Sequence, residues 1–197
     1  MVTLRTDQDL VLAFQGGDRA AFSDLMERYQ AKIFTLCVRR LGDSELANEV
    51  AQDVFIAVFR SLTRFRGEAK FSTWLYRIAV NHCKNKYKYN QRRRRDFHES
   101  LDEQPDDEGP KRELPAPRSR TDASTHQAEA SAILQAALER LVPEDRTLLI
   151  LREIQELSYE EISEIFEVPK GTIKSRLHRA RAQLAKVLST QLSKDDL

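Results

Sequence analysis

The stretch from Leu157 to Leu188, LSYEEISEIFEVPKGTIKSRLHRARAQLAKVL, constrains this chain more than any other. Ser158 followed three residues later by Glu161 is the pattern of a reciprocal N-terminal cap, so a helix is expected to start there. Ile162, Ile165 and Phe166 give that helix a short apolar face. Val168-Pro169 interrupts it, and Pro169 suits the first turn of a second helix, where a missing N–H costs nothing. From Ile173 the apolar positions run Ile173, Leu177, Ala180, Leu184 and Val187, at helical period. At about 100° per residue, Lys174, Ser175, His178 and Arg179 fall on the opposite face, with Gly171 beneath them. The first helix carries Glu160, Glu161, Glu164 and Glu167, whereas Lys170 to Lys186 holds only basic charges. A phosphate backbone would be repelled by one helix and attracted by the other. The pattern reads as a helix-turn-helix whose second helix enters a DNA groove. A solvated basic helix in an ordinary bundle is the alternative.

Net charge over all 197 residues is only +1, so it is the segregation of charge, and not its total, that carries the signal. No apolar run reaches membrane length, and MVTLRTDQDL lacks the basic start and apolar middle of a signal peptide. The expectation is a cytoplasmic protein with no membrane insertion. Cys37 and Cys83 sit in apolar helical patterns and read as core thiols; no metal-ligand spacing is present. There is no P-loop, dinucleotide-binding glycine pattern, HExxH or CxxC, so neither catalysis nor a cofactor is expected. His82 next to Cys83 does not make a nucleophile pair, because neighbouring helix residues point about 100° apart. Six glycines amid abundant Ala, Leu, Glu and Arg favour helix throughout. The fold class is all-α.

Asp7 to Phe14 reads as a short helix, followed by a turn at Gly16-Gly17-Asp18. A long amphipathic helix then uses Phe22, Leu25, Tyr29, Ile33, Phe34 and Cys37, and stops at Gly42. Asp43 or Ser44 caps the next, with Val50, Val54, Phe55, Val58 and Phe59 on its apolar side. Its other side shows Glu49, Gln52, Asp53 and Arg60, which is either solvent surface or a docking face; periodicity does not choose. Phe65 to Phe71 breaks the pattern, with Gly67 supplying backbone freedom. Helix resumes with Phe71, Trp74, Leu75, Ile78, Ala79 and Cys83 inward and Arg77, Asn81, Lys84 and Lys88 on the other face. From Lys84 to Arg95 there are seven cations, no acid and interleaved tyrosines. Such a strip can neutralise phosphates while rings stack on unpaired bases, or it is a solvated helix end.

From Glu99 to about Ser124 the chain is acidic and carries Pro105, Pro110, Pro115 and Pro117, which forbid regular helix. It reads as a flexible linker that lets its flanking domains separate. Order is expected to return near Ala128, with Leu134, Leu138 and Leu141 inward, and Pro143 opening a helix with Leu148, Leu149, Leu151 and Ile154. Three segments follow: 1–97, a linker over 98–127, and 128–197.

The segment LVPEDRTLLILREIQELSYEEISEIFEVPKGTIKSRLHRARAQL resembles the fourth conserved domain of extracytoplasmic-function sigma factors nearly end to end. FRGEAKFSTWLYRIAVNHCKN resembles their second domain as closely, and GDRAAFSDLMERY and AQDVFIAVFRSL fit its earlier helices. The resemblance implies a protein without catalysis of its own that binds RNA polymerase core, directs it to promoter DNA and aids melting, with an anti-sigma factor as a further partner. It implies that Gln52, Asp53, Ile56 and Arg60 dock on the polymerase. It gives the minus-ten element to Phe65, Lys70, Phe71, Arg77, Asn81, Lys84 and Lys88, where a flipped base would enter a pocket. It gives the minus-thirty-five element to Gly171, Thr172, Lys174, Ser175, Arg176, His178 and Arg179. Two departures stand out: Glu167 where the family usually has glycine, and Asn85 where aspartate is common. A positive φ at Glu167 would cost on the order of 1 kcal/mol.

Two other classes remain at this level. An operator-binding dimeric regulator leaves the strip from Lys84 to Arg95 and the second domain unexplained. A helical adaptor that binds no DNA, such as an antagonist of sigma factors, is the other. Pull-down with polymerase core separates the first reading from an operator-binding regulator.

Overall fold

The computed structural model describes residues 5–101 and 122–195, and the side-chain surroundings of 5–93 and 128–190. Every regular element among the described residues is helical. Helix α1 (Asp7–Gln15) starts at Thr6, whose hydroxyl accepts the Asp9 N–H while the Asp9 carboxylate accepts the Thr6 N–H. Helix α2 (Ala20–Leu41) ends on Gly42 at φ 76°, where the Gly42 N–H closes on Val38 O. A side chain there would be strained and would run into the Glu139 carboxylate. Helix α3 (Ser44–Ser61) is capped by Asp43, which accepts from Glu45 and Leu46. A single tight turn, Leu62–Arg64, and the loop to residue 70 lead into α4 (Phe71–Leu101).

The second half comprises α5 (Asp122–Glu139), α6 (Pro143–Leu149), α7 (Tyr159–Phe166) and α8 (Lys170–Asp195). Pro143 stands in the first turn of α6, as its missing N–H favours. The chain leaves α6 through a wide turn over Ile150–Ile154. Both boundaries of the expected linker move inward: α4 runs on through 98–101 and α5 opens at Asp122, ahead of residue 128. The rest of that segment, 102–121, lies outside the described residues.

The N-terminal core lies where α2 packs on α3 and α4, with α1 laid across α2. Leu25, Ile33, Leu36, Cys37, Val54, Leu75, Ala79 and Cys83 are buried there. The C-terminal core gathers Leu148, Ile150, Leu151, Ile162, Ile173 and Leu177. Three residues expected inward are more open: Phe34, Phe59 and Ile154 each expose close to two-fifths of their surface. Phe59 leans its ring edge-on against Phe14 and Phe22, so only one side of it is covered.

The two halves do not stand apart as the composition of the connecting segment suggests. Arg39 donates to the Ser131 carbonyl and hydroxyl, and Arg146 reaches the Arg40 carbonyl at 3.0 Å. Gln155 donates to Lys32 O and accepts from Tyr76 Oη at 2.7 Å. Tyr76, absent from the expected core, is buried by this meeting. The buried apolar residues of both halves form one continuous cluster. Leu177 is fully enclosed in it, so Leu177→Ala is expected to destabilise the C-terminal helices by about 2–5 kcal/mol. Urea unfolding followed by circular dichroism checks this.

Candidate nucleic-acid interface

The turn between α7 and α8 is built from side chains as much as from backbone. Ser158 Oγ accepts the Glu161 N–H, and the Glu161 carboxylate accepts the Ser158 N–H at 2.9 Å, so the reciprocal cap forms. Helix α7 ends on Glu167 at φ 56° and ψ 38°, the left-handed geometry that costs a non-glycine residue on the order of 1 kcal/mol. Ser163 Oγ donates across the turn to Val168 O, and Pro169 O accepts the N–H groups of Thr172 and Ile173. Pro169 thus stands just before α8 and not within its first turn.

Ile173, Leu177 and Ala180 are buried, which fixes the outward face of α8 by default. Gly171, Thr172, Lys174, Ser175, His178 and Arg179 are all exposed. Ser175 Oγ donates to Thr172 O, and Lys174 lies over the Tyr159 ring at 5.8 Å. Arg176 departs from the expected set. Half-buried, it sends Nε and Nη2 to Asp145 Oδ1 at 3.1 and 2.8 Å, tying α8 to α6. Arg181 binds Glu153 in the same way. No local pattern announces either pair, because each acid lies far back in the chain.

A second basic face runs along α4. Arg77, Asn81, Lys84 and Lys88 share one side of the helix; the last three are exposed and Arg77 is half-buried. Arg92 and Arg93 extend the line outward, while the side chains of residues 94 and 95 lie outside the description. At the head of α4 the expected aromatic pair divides. Phe71 is buried, with its ring 5.6 Å from that of Tyr29, and serves the core instead of offering a stacking platform. Phe65 is half-buried, its ring 4.8 Å from that of Trp74.

Between the loop ahead of α4 and helix α7 lies a cleft of about 820 Å³. Lys70 and Thr73 line one wall, and Glu160, Glu161 and Glu164 the other. Lys70 Nζ is 3.0 Å from Glu161 Oε1, and this bond raises the ammonium pKa. Burial alone would raise the pKa of Glu161; the Ser158 N–H and the Lys70 ammonium outweigh it and hold the carboxyl below its usual value. Arg77 Nη2 donates to Glu164 O at 2.7 Å, and its Nη1 is 3.6 Å from the Glu167 carboxylate.

The third surface belongs to α3. Gln52, Asp53, Ile56 and Arg60 are all exposed. Ile56 exposes about half its surface and, with Phe34 and Phe59, opens onto an apolar groove of about 1000 Å³ between α2 and α3. The polar side that periodicity left undecided therefore borders an apolar hollow, the kind of patch that marks a protein contact.

Cys83 Sγ and Cys37 Sγ meet at 3.6 Å in the core, both free and buried. Hydrogen bonding to Cys83 and burial push the Cys37 thiol far above its ordinary pKa, so that sulfur is not poised as a nucleophile. No cluster of metal ligands occurs among the described residues, and no helix among them is long and apolar enough to cross a membrane.

The family described as Sigma-70 region 2 matches residues 25–93, and Sigma-70, region 4 matches residues 131–184. The chain is 39% identical to the RNA polymerase sigma-H factor of Pseudomonas aeruginosa over 98% of both proteins. It is 41% identical to the ECF RNA polymerase sigma-E factor of Haemophilus influenzae, over 91% of this chain and 93% of the relative. Among solved structures, the sigma factor RpoE in complex with the anti-sigma factor NepR from Bartonella quintana superposes with a TM-score of 0.60. The two are 21% identical over 85% of this chain and 96% of that one, a likeness of fold.

The contrast between the two arginines of α8 is directly measurable. Arg176→Ala removes a partly enclosed ion pair and is expected to lower stability by roughly 1 kcal/mol. Arg179→Ala removes only exposed surface and is expected to change stability by less than about 0.5 kcal/mol. Thermal melts of the two variants side by side give the answer.

Proposed function

This chain belongs to the extracytoplasmic-function sigma factors of bacterial RNA polymerase, and from that premise we propose how its surfaces divide the work. As a sigma factor it directs promoter-specific initiation, contributing binding energy to the complex. The helices through residue 101 form the unit for the polymerase and the minus-ten element, those from Asp122 onward the unit for the minus-thirty-five element, and the segment between connects them.

The observation that carries this reading is the outward face of α8, basic and hydroxyl-rich over a back made of Ile173, Leu177 and Ala180. Laid in the major groove, such a helix presents Lys174 and Arg179 to guanine edges or phosphates and Ser175 and His178 to nearby bases. Gly171 and Thr172, at the positive end of the helix dipole, approach the backbone. Arg176, held by Asp145, orients the helix instead of reading it.

On α4, Arg77, Asn81, Lys84 and Lys88 follow the non-template strand of the minus-ten element as it melts, with Lys70 at the entrance of the cleft. Phe65 beside Trp74 supplies the aromatic edge for an unstacked base. Ile56, flanked by Gln52, Asp53 and Arg60, seats on the polymerase through the apolar groove. The protein acts in the cytoplasm, where that polymerase is. An anti-sigma factor is a natural antagonist, as the one captured with the Bartonella quintana relative suggests.

Two measurements test the assignment. Arg179→Ala is expected to lose roughly 1–3 kcal/mol in binding to the upstream element, with core-polymerase affinity unchanged. Normal transcription by this variant from a promoter that requires the upstream element would remove α8 as the reader. Ile56→Glu is expected to weaken core-polymerase binding at least tenfold, by placing a charge in an apolar contact, while leaving upstream-element binding intact. Pull-down with core enzyme decides that point.

A further inference from the structure

Helix α1 ends on a side chain that no sequence pattern singles out. Gln15 is exposed, yet its Nε2 donates to Leu62 O at 3.0 Å and to Phe65 O at 2.8 Å, 47 and 50 residues further on. Both hydrogens of the amide are thereby used, and both partners are carbonyls, which only accept. The two carbonyls bracket the tight turn Leu62–Arg64, so they fix where the loop to residue 70 departs. We propose that Gln15 is the positioning residue of that loop: its amide clamps Leu62 and Phe65 to the end of α1 and so sets Phe65 and Lys70 for an unstacked strand. This rests on the minus-ten reading of Phe65 and Lys70.

The clamp has a fixed end and a loose one. On the α1 side Leu10, Val11 and Phe14 are buried, and the Phe14 ring leans on those of Phe22 and Phe59. The chain beyond Gln15 folds back at once, with Gly16 N donating to Leu12 O and Asp18 N to Ala13 O. Gln15 therefore stands on backbone that does not follow the loop if the loop moves. On the loop side support is sparse. Arg66, Gly67 and Glu68 are exposed, and Gly67 turns at φ 72° with open space where a side chain would stand. Arg66 and Glu68 face each other at 3.9 Å in solvent, a pair that fixes little. Among the described residues of α1 to α4, Gln15 is the one side chain that hydrogen-bonds to the backbone between Leu62 and Lys70.

What the clamp positions is the aromatic edge. The Phe65 ring lies 4.8 Å from that of Trp74 and 6.3 Å from that of Phe71, edge-on to the latter. Its carbonyl is the closer of the two acceptors of Gln15, so Phe65 is held by its backbone as well as by its ring. Lys70 stands at the far end of the same loop, and Gln15 lines the cleft that opens there, next to Val11 and Leu12. A net amide–carbonyl hydrogen bond shifts an equilibrium by roughly 2- to 12-fold. That is small against a folded core and decisive for a loop with so few other ties. When the loop leaves its place the binding-competent fraction falls, and the apparent affinity for the strand falls with it.

Trp74 is the single tryptophan of the chain, so its fluorescence reports on the loop whose Phe65 ring covers it. The test uses the full chain with Gln15→Leu, which removes both donors without adding charge, and with Gln15→Lys, which restores a donor. Both replace an exposed residue, and circular dichroism verifies the fold. The readouts are acrylamide quenching of Trp74 and binding of a short fluorescein-labelled single-stranded oligodeoxynucleotide of random sequence. Gln15→Leu should raise the quenching and bind the probe at least about threefold more weakly than the parent, with core-polymerase pull-down unchanged. Gln15→Lys is read by quenching alone, because its charge itself attracts DNA, and should stay near the parent. Quenching unchanged in Gln15→Leu overturns the proposal, as does raised quenching with unchanged affinity. Equal quenching in the two variants, or loss of core-polymerase binding, overturns it as well. Failure of the parent to bind the probe would count against the minus-ten reading itself, while the quenching still decides whether Gln15 holds the loop.

Discussion

One guanidinium fastens α6 to the C-terminal ends of two other helices. Arg146, buried in α6, donates Nε to Leu138 O, Nη2 to Glu139 O and Nη1 to Arg40 O. Leu138 and Glu139 close α5, and Arg40 lies in the last turn of α2. Each acceptor is a carbonyl of the kind that a helix leaves unbonded at its C-terminus. A planar fork of five donors meets that need as no ammonium could, and the negative ends of two helix dipoles favour the charge. Removing it would take a donor from three carbonyls, of which Leu138 O keeps the Leu141 N–H, and would unfasten α6 from both neighbours. The orientation of the C-terminal helices over α2 depends on this contact.

Around that fastening, charge is sorted by depth. The exposed cations of α8 stand over an apolar back of Ile173, Leu177 and Ala180, so its charged face and its packing face draw on different residues. On α4 the separation is incomplete: Arg77 lies half under α7, and Phe71 has joined the core. The apolar groove at Ile56 shares surface with neither.

The order of helices, most of their caps and the break at Val168-Pro169 were legible in the residues, because each is set by neighbours within a few positions. The Ser158–Glu161 cap, the Asp43 cap, Gly42 and Pro143 all act locally. For Glu167 the resemblance pointed only to a position where glycine is usual; the structure shows the positive φ itself. The outward set on α8 followed from period alone, since Ile173, Leu177 and Ala180 left no other face for Lys174, Ser175, His178 and Arg179. The minus-ten set was less secure: Phe71 and Trp74 share an apolar stripe, and a stripe does not say which ring is covered.

What the sequence determined by itself is the all-helical character, the two basic helices and their family, through patterns whose partners lie one or two turns apart. What only the tertiary structure decided is who meets whom over long separations. Arg176 pairs with Asp145, Tyr76 with Gln155, Lys70 with Glu161, and Arg146 with the end of α2. Such contacts leave no trace in periodicity, because a charged or polar residue on a helix face looks the same facing water as facing another helix. The composition of the connecting segment speaks to its own lack of a core and is silent on the faces it joins. Those faces are complementary in charge, and complementarity becomes visible only when both are folded.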